Sequence, residues 1–214
     1  PFDNHLAAKR LTRLKILPAG RKNVRPPPYP LPLNPNPYTL KYMPDHHIRL
    51  INNKQEEKFL RKPTLRFSLL PKEGFMVDGK KVSFPELAEL VSGMRKIMHR
   101  AHGIGLSANQ IGVPYRLFIA GLRDADGKFK FYAVVNPEIE KLGAETAFLE
   151  EGCLSIPRAY GNVPRATTLT LRGLDKRGKP LKIRAWGLLA RVFQHETDHL
   201  DGKLFIDRTK DIHV

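Results

Sequence analysis

One cysteine, Cys153, and one tryptophan, Trp186, stand among 214 residues. A single thiol excludes an intrachain disulfide and a zinc finger built from thiolates alone. No apolar run approaches the roughly 18–20 residues that a membrane-spanning helix needs. The first 30 residues likewise lack the apolar centre of a secretory signal. Acid is scarce too: 21 Asp and Glu face 37 Lys and Arg, for a net charge of +16. Apolar residues nevertheless make up 41% of the chain, enough for a packed core, so wholesale disorder is excluded. What is left is a strongly basic protein of a reducing compartment, with room for one catalytic domain and a little more.

The basic charge is uneven. Residues 1–62 carry a net +9 and residues 63–214 a net +7. The first stretch also holds 10 of the 18 prolines, most of them between Pro26 and Pro44. Proline fixes φ and removes an amide donor, so that run can be neither helix interior nor central strand. We therefore expect residues 1–62 to form an extended, basic arm and residues 63–214 to form the folded domain. Ahead of the prolines, Leu6–Leu17 spaces its apolar residues helically with Lys and Arg between them, as in a basic amphipathic helix or an organellar transit segment. The arm has two readings, a solvated extension or a clamp on a polyanion such as ribosomal RNA. Contact with ~6–10 phosphates would make the clamp strongly salt-sensitive. No RRM or KH signature is present, so any such binding works by charge and shape.

Further along, Ser83-Phe84-Pro85-Glu86 reads as a helix N-cap with a capping box. Leu87, Leu90, Val91, Met94, Ile97, Met98 and Ala101 follow at helical spacing, up to Gly103. Two hairpins are expected: Arg116–Leu122 with Lys130–Asn136 across Asp124–Gly127, and Thr167–Leu174 with Leu181–Ala185 across Asp175–Gly178. A last helix should span Leu188–Leu200 and stop at Gly202. This order predicts an α+β fold, antiparallel sheets around a central helix.

That last helix contains His195-Glu196-Thr197-Asp198-His199, an HExxH pattern. Residues four apart share a helical face, so both imidazoles can meet one cation, and Glu196 then stands beside the water such an ion activates. The same stretch could be a plain polar helix face. Apolar Leu188, Leu189, Val192 and Phe193 just ahead aim it inward, where unpaired His and Glu are costly. A catalytic site wants a third protein ligand. His213 lies near the end of the sequence; Cys153, in Glu151-Gly152-Cys153-Leu154-Ser155, offers a thiolate suited to Zn²⁺ or Fe²⁺. A lone cysteine is more often a small buried apolar residue, but paired with HExxH the balance tips to ligation. Gly103-Ile104-Gly105-Leu106-Ser107-Ala108-Asn109-Gln110 follows the first helix; alone, its glycines mark only a turn or a close approach to backbone.

Taken together, G-I-G-L-S-A-N-Q, E-G-C-L-S and H-E-T-D-H resemble the three signature motifs of the peptide deformylase family, in the family's order. The resemblance runs from about Pro63 to Arg208 and takes in the P-T-L-R opening and V-P-R-A at Val163–Ala166. It implies Cys153, His195 and His199 as metal ligands, Glu196 as general base, and the Gln110 amide with the Leu154 N–H as oxyanion donors. It further implies Fe²⁺ as the native ion, with Zn²⁺, Ni²⁺ or Co²⁺ possible, and hydrolysis of N-formyl-Met on nascent peptides. The peptide would lie extended beside Gly103, Gly105 and Gly152, with its Met side chain in a pocket of Ile104, Leu188 and Val192. Ser107 stands where the family more often has Ala, and the basic arm has no counterpart in the minimal bacterial enzyme. The setting expected is the mitochondrial matrix, at or on the ribosome, with plastid or bacterial cytoplasm as alternatives. A second class of function is a ribosome-bound structural protein of the same fold whose arm grips rRNA.

Overall fold

The computed structural model describes residues 47–124 and 126–214. The Leu6–Leu17 helix and the proline run up to Pro44 lie outside the described residues. A short helix α1 (Lys54–Leu60) comes first, capped by the Asn53 side chain, which accepts from the amides of Gln55 and Glu56. It leads into an antiparallel meander of β1 (Ser68–Leu70), β2 (Gly74–Val77) and β3 (Lys80–Ser83).

Helix α2 (Phe84–Arg100) then starts on the expected capping box. The Glu86 carboxylate accepts from the Ser83 amide at 2.8 Å and the Ser83 hydroxyl at 2.7 Å. Its apolar residues Leu87, Leu90, Val91, Met94, Ile97 and Met98 are all buried, as a 3.6-residue period requires of a helix with one core-facing stripe.

A five-stranded antiparallel sheet follows, ordered β10-β9-β6-β5-β4, from β4 (Gly105–Ser107), β5 (Leu117–Arg123), β6 (Phe129–Leu142), β9 (Thr168–Leu174) and β10 (Pro180–Trp186). Both expected hairpins form within a residue or two of their predicted bounds, except that β6 runs on to Leu142 past irregular pairing after Val135. Strand β5 is buried on both sides: Leu117 and Ile119 face the α2 cluster, Phe118 and Ala120 the cluster built on helix α3 (Gly187–Leu200). The sheet is thus packed between the two long helices. Phe193 of α3 meets the rings of Phe118 and Tyr132, each with centroids 5.4 Å away, which fixes the rotation of α3 about its axis.

A third sheet, ordered β11-β8-β7, holds β7 (Thr146–Cys153), β8 (Ile156–Ala166) and β11 (Ile212–His213). Arg191 of α3 reaches across to the carbonyls of Ala147, Leu149 and Val163, tying the helix to this sheet as well. The expected α+β arrangement with a central HExxH helix is what the chain adopts.

The arm boundary expected at residue 62 is corrected for residues 47–62. Leu60 is fully buried, the Arg49 amide donates to the Gln110 carbonyl at 2.8 Å, and the Ile51 amide donates to the Ser155 carbonyl at 3.1 Å. Those bonds fasten the segment to the backs of two loops of the site. The physical reason it escapes a sequence reading is that α1 is polar on nearly every face and buries one side chain.

Candidate metal centre

His195 and His199 stand one turn apart on α3, with ring centroids 4.9 Å apart. Cys153 ends β7, and the Cys153–Leu154–Ser155 turn carries it against the helix; its Sγ lies 3.2 Å from His199 Nε2. The ligand atoms of Cys153, His195 and His199 all fall within 4.8 Å of one another. Three donors so placed, one thiolate and two imidazoles, suit a single Zn²⁺- or Fe²⁺-class ion and leave a coordination position over.

A second layer of charge orients these donors. His195 Nδ1 lies 3.0 Å from Glu151 Oε2, so Nδ1–H points at the carboxylate and Nε2 is left for the cation. Glu151 is itself held by Arg165, with Nε–Oε1 at 2.9 Å and Nη2–Oε2 at 3.0 Å, and by Arg191 at 2.7 Å. Burial alone would raise the Glu151 carboxyl, but the bonds from His195 and Arg165 overcome it and bring it to about 2. Arg165 continues to Asp198, and Asp198 to Arg208. The positive form of His195 is disfavoured by burial, yet hydrogen bonds to Cys153 and Glu151 and the charge of Glu196 hold it up at about 10. His199, by contrast, is driven well below the ordinary histidine value by burial and by the charge of His195, so its ring is neutral, the ligating form.

Glu196 takes its hydrogen bond from outside this network. Its carboxyl is buried and raised to about 7 by desolvation, against the opposing pull of His195 and Ser107. The Ser107 hydroxyl donates to Glu196 Oε2 at 2.6 Å and lies 3.0 Å from the Glu196 carbonyl oxygen. Gly105 is a position of close approach: a Cβ there would lie 2.2 Å from Glu196 Oε1. Gly105→Ala should therefore displace the carboxylate while barely disturbing the fold. We expect kcat to fall about 10²-fold, the scale of a 1 Å misplacement, with Tm within a few degrees of wild type.

Gln110 lies in the 3₁₀ turn after β4. Its Oε1 accepts from the Ser107 amide at 2.9 Å, which turns Nε2 toward Ser155 Oγ at 3.1 Å and Cys153 Sγ at 3.6 Å. Next to it, Asn109 Nδ2 donates to the His199 carbonyl at 2.7 Å and binds this turn to α3.

These groups open on a cavity of about 470 Å³. Gly103, Ile104, Gly105, Gln110, Gly152, Cys153, Leu154, Leu188, Val192, His195 and Glu196 line it, while His199 is buried behind them. Leu188 is half exposed and Val192 buried, so the apolar wall includes one residue at the mouth and one inside. Residues left without a role by the sequence also belong here: Glu151, Arg165, Arg191, Asp198 and Ser107 around the donors, and His102, Glu150, Arg158 and Tyr160 around the rim. Glu151 and Asp198 sit inside the recognised motifs, but nothing in a motif says that its charges pair with residues 10 to 44 positions away.

Comparisons with known proteins agree with this geometry. The family model described as polypeptide deformylase matches residues 70–214. A peptide deformylase of Prochlorococcus marinus (strain MIT 9515) is 38% identical over 161 residues, covering 74% of this chain and 79% of the relative. Peptide deformylase 1 of Corynebacterium efficiens is 47% identical over 128 residues, covering 59% and 75%. Among solved structures, a peptide deformylase from Synechococcus elongatus in complex with actinonin superposes with a TM-score of 0.65 at 33% identity, over 78% of this chain and 82% of that one. With the signature positions assembled in one cleft and most of the chain matched, this chain belongs to the peptide deformylase family.

Proposed function

We propose that this enzyme removes the formyl group from the initiator methionine of nascent chains in the mitochondrial matrix, working at the ribosome. The observation that carries the chemistry is the meeting of Cys153, His195 and His199 with Glu196 in one cleft. Cys153, His195 and His199 would hold a divalent ion, for which we propose Fe²⁺, and when bound it would supply an acidified water and polarise the formyl oxygen. Glu196, buried in the cleft and held by Ser107, takes a proton from the attacking water and returns it to the leaving amine. The formyl carbon gains the hydroxyl and its C–N bond breaks, so formate leaves and a free methionine amino group remains. Gln110 Nε2 and the Leu154 N–H are assigned to the oxygen that becomes negative, a role in which each such donor is worth about 10²–10³ in kcat.

Backbone at Gly105 and Gly152 gives an extended peptide main-chain bonds that ignore side-chain identity. Ile104, Leu188 and Val192 receive the methionine side chain. The test is formate release from formyl-Met-Ala-Ser by Fe²⁺-loaded protein; no release would turn the argument toward a structural protein of this fold.

For the ribosome, the support is charge: residues 1–62 hold more than half of the excess positive charge. Because residues 47–62 are part of the folded unit, the arm is tested by deleting residues 1–46 alone. That variant should keep its deformylase activity and lose salt-sensitive cosedimentation with mitochondrial ribosomes. Cosedimentation equal to that of the full chain would remove the ribosome clamp from the account.

A further inference from the structure

Five residues other than glycine hold a left-handed backbone: Lys72, Asp78, His102, Asn136 and Arg158. Lys72 and Asp78 sit in the tight turns that connect β1, β2 and β3. Asn136 is held by exchanged bonds with Phe67, its Oδ1 accepting from the amide at 2.9 Å and its Nδ2 donating to the carbonyl at 2.7 Å. Arg158, at φ 66°, has no such compensation. It lies where β8 slips in register against β7, between the Gly152–Tyr160 pair and the Cys153–Ile156 pair. A left-handed position of this kind suits glycine and strains an arginine. The side chain is exposed at the rim of the catalytic cavity.

The charges around that rim are otherwise matched. Glu150 lies 3.0 Å from His213 Nε2, and Glu151 is held by Arg165, Arg191 and His195. Glu196 has Ser107. Arg191 is spent on Glu151 and three carbonyls. Among the described residues that line the cavity, Arg158 is the permanent cation with no protein partner. We propose that Arg158 is a specificity-determining residue, a guanidinium that draws in nascent chains carrying Asp or Glu at the second or third position. The inference rests on the deformylase reading of the cleft. An extended chain advances about 3.3 Å per residue, so the residues just past the methionine pass the strand that bears Arg158. Its fork can take a carboxylate in two parallel bonds.

The experiment compares steady-state kinetics of the Fe²⁺-loaded enzyme on formyl-Met-Asp-Ala and formyl-Met-Ala-Asp with their Lys counterparts. Wild type should favour the acidic member of at least one pair by about fivefold in kcat/KM, through KM, and the preference should shrink at high salt. Arg158→Gly should erase the preference and raise Tm by about 2–4 °C, since glycine takes this backbone without strain. Arg158→Glu should invert it. A wild-type preference below twofold in both pairs overturns the inference, as does a preference that survives Arg158→Gly. If no formyl peptide is hydrolysed at all, the deformylase reading falls and takes the inference with it. Hydrolysis without charge preference removes the inference alone.

Discussion

Replacing Glu196 by glutamine is expected to lower kcat by about 10⁴-fold, the upper end of what positioned proton transfer contributes. The upper end applies because one carboxyl serves both halves of the reaction, accepting the proton of the water and delivering it to the amine. Glutamine is nearly isosteric, and its side-chain oxygen can still accept from Ser107, now 2.6 Å from Glu196 Oε2. The packing around Gly105 should also survive. KM should therefore stay within about twofold, and both Tm and metal content should match wild type. Measured by formate release under anaerobic conditions, a fall of tenfold or less would mean that Glu196 is not the proton carrier.

The second large effect falls on stability. Arg165 is 5% exposed and lies between two buried acids, Glu151 and Asp198. Arg165→Met keeps the bulk of the side chain but leaves those acids with one partner fewer each. Glu151 retains His195 and Arg191, and Asp198 retains Arg208, so the loss should sit at the lower end of what breaking a buried ion pair costs, about 3 kcal/mol. For a domain of this size that corresponds to a Tm about 6–12 °C lower. Adding Asp198→Asn, which removes one under-compensated charge, should recover part of the loss. Equal Tm values for wild type and Arg165→Met in calorimetry would show that the network contributes nothing net.

How much of this was legible in the sequence depends on how local each determinant is. The HExxH spacing and the turns after Asp124 and Asp175 are local. In each turn the aspartate side chain accepts two amides a few residues ahead, a mechanism readable from the residue type and its place. The capping box of α2 was legible for the same reason.

The β7–β8 hairpin that delivers Cys153 was not. Its turn, Leu154-Ser155, carries no glycine or proline, and the strained left-handed residue nearby is an arginine. Neither was α1, whose single buried side chain gives no periodic stripe. The buried charges Arg165, Arg191 and Asp198 read as surface residues until the partners that neutralise them are brought alongside by the fold. The donor set was readable from the HExxH spacing, the lone cysteine and the motif resemblance; the layer that orients it is made of side chains that only the fold brings together.

X-ray absorption at the metal edge of anaerobically purified protein tests the central claim most directly. One sulfur at about 2.3 Å and two nitrogens at about 2.0–2.1 Å, the distances given by zinc-type sites, are the expected result, with the sulfur contribution absent in Cys153→Asp. A wild-type first shell made only of nitrogen and oxygen would contradict the account.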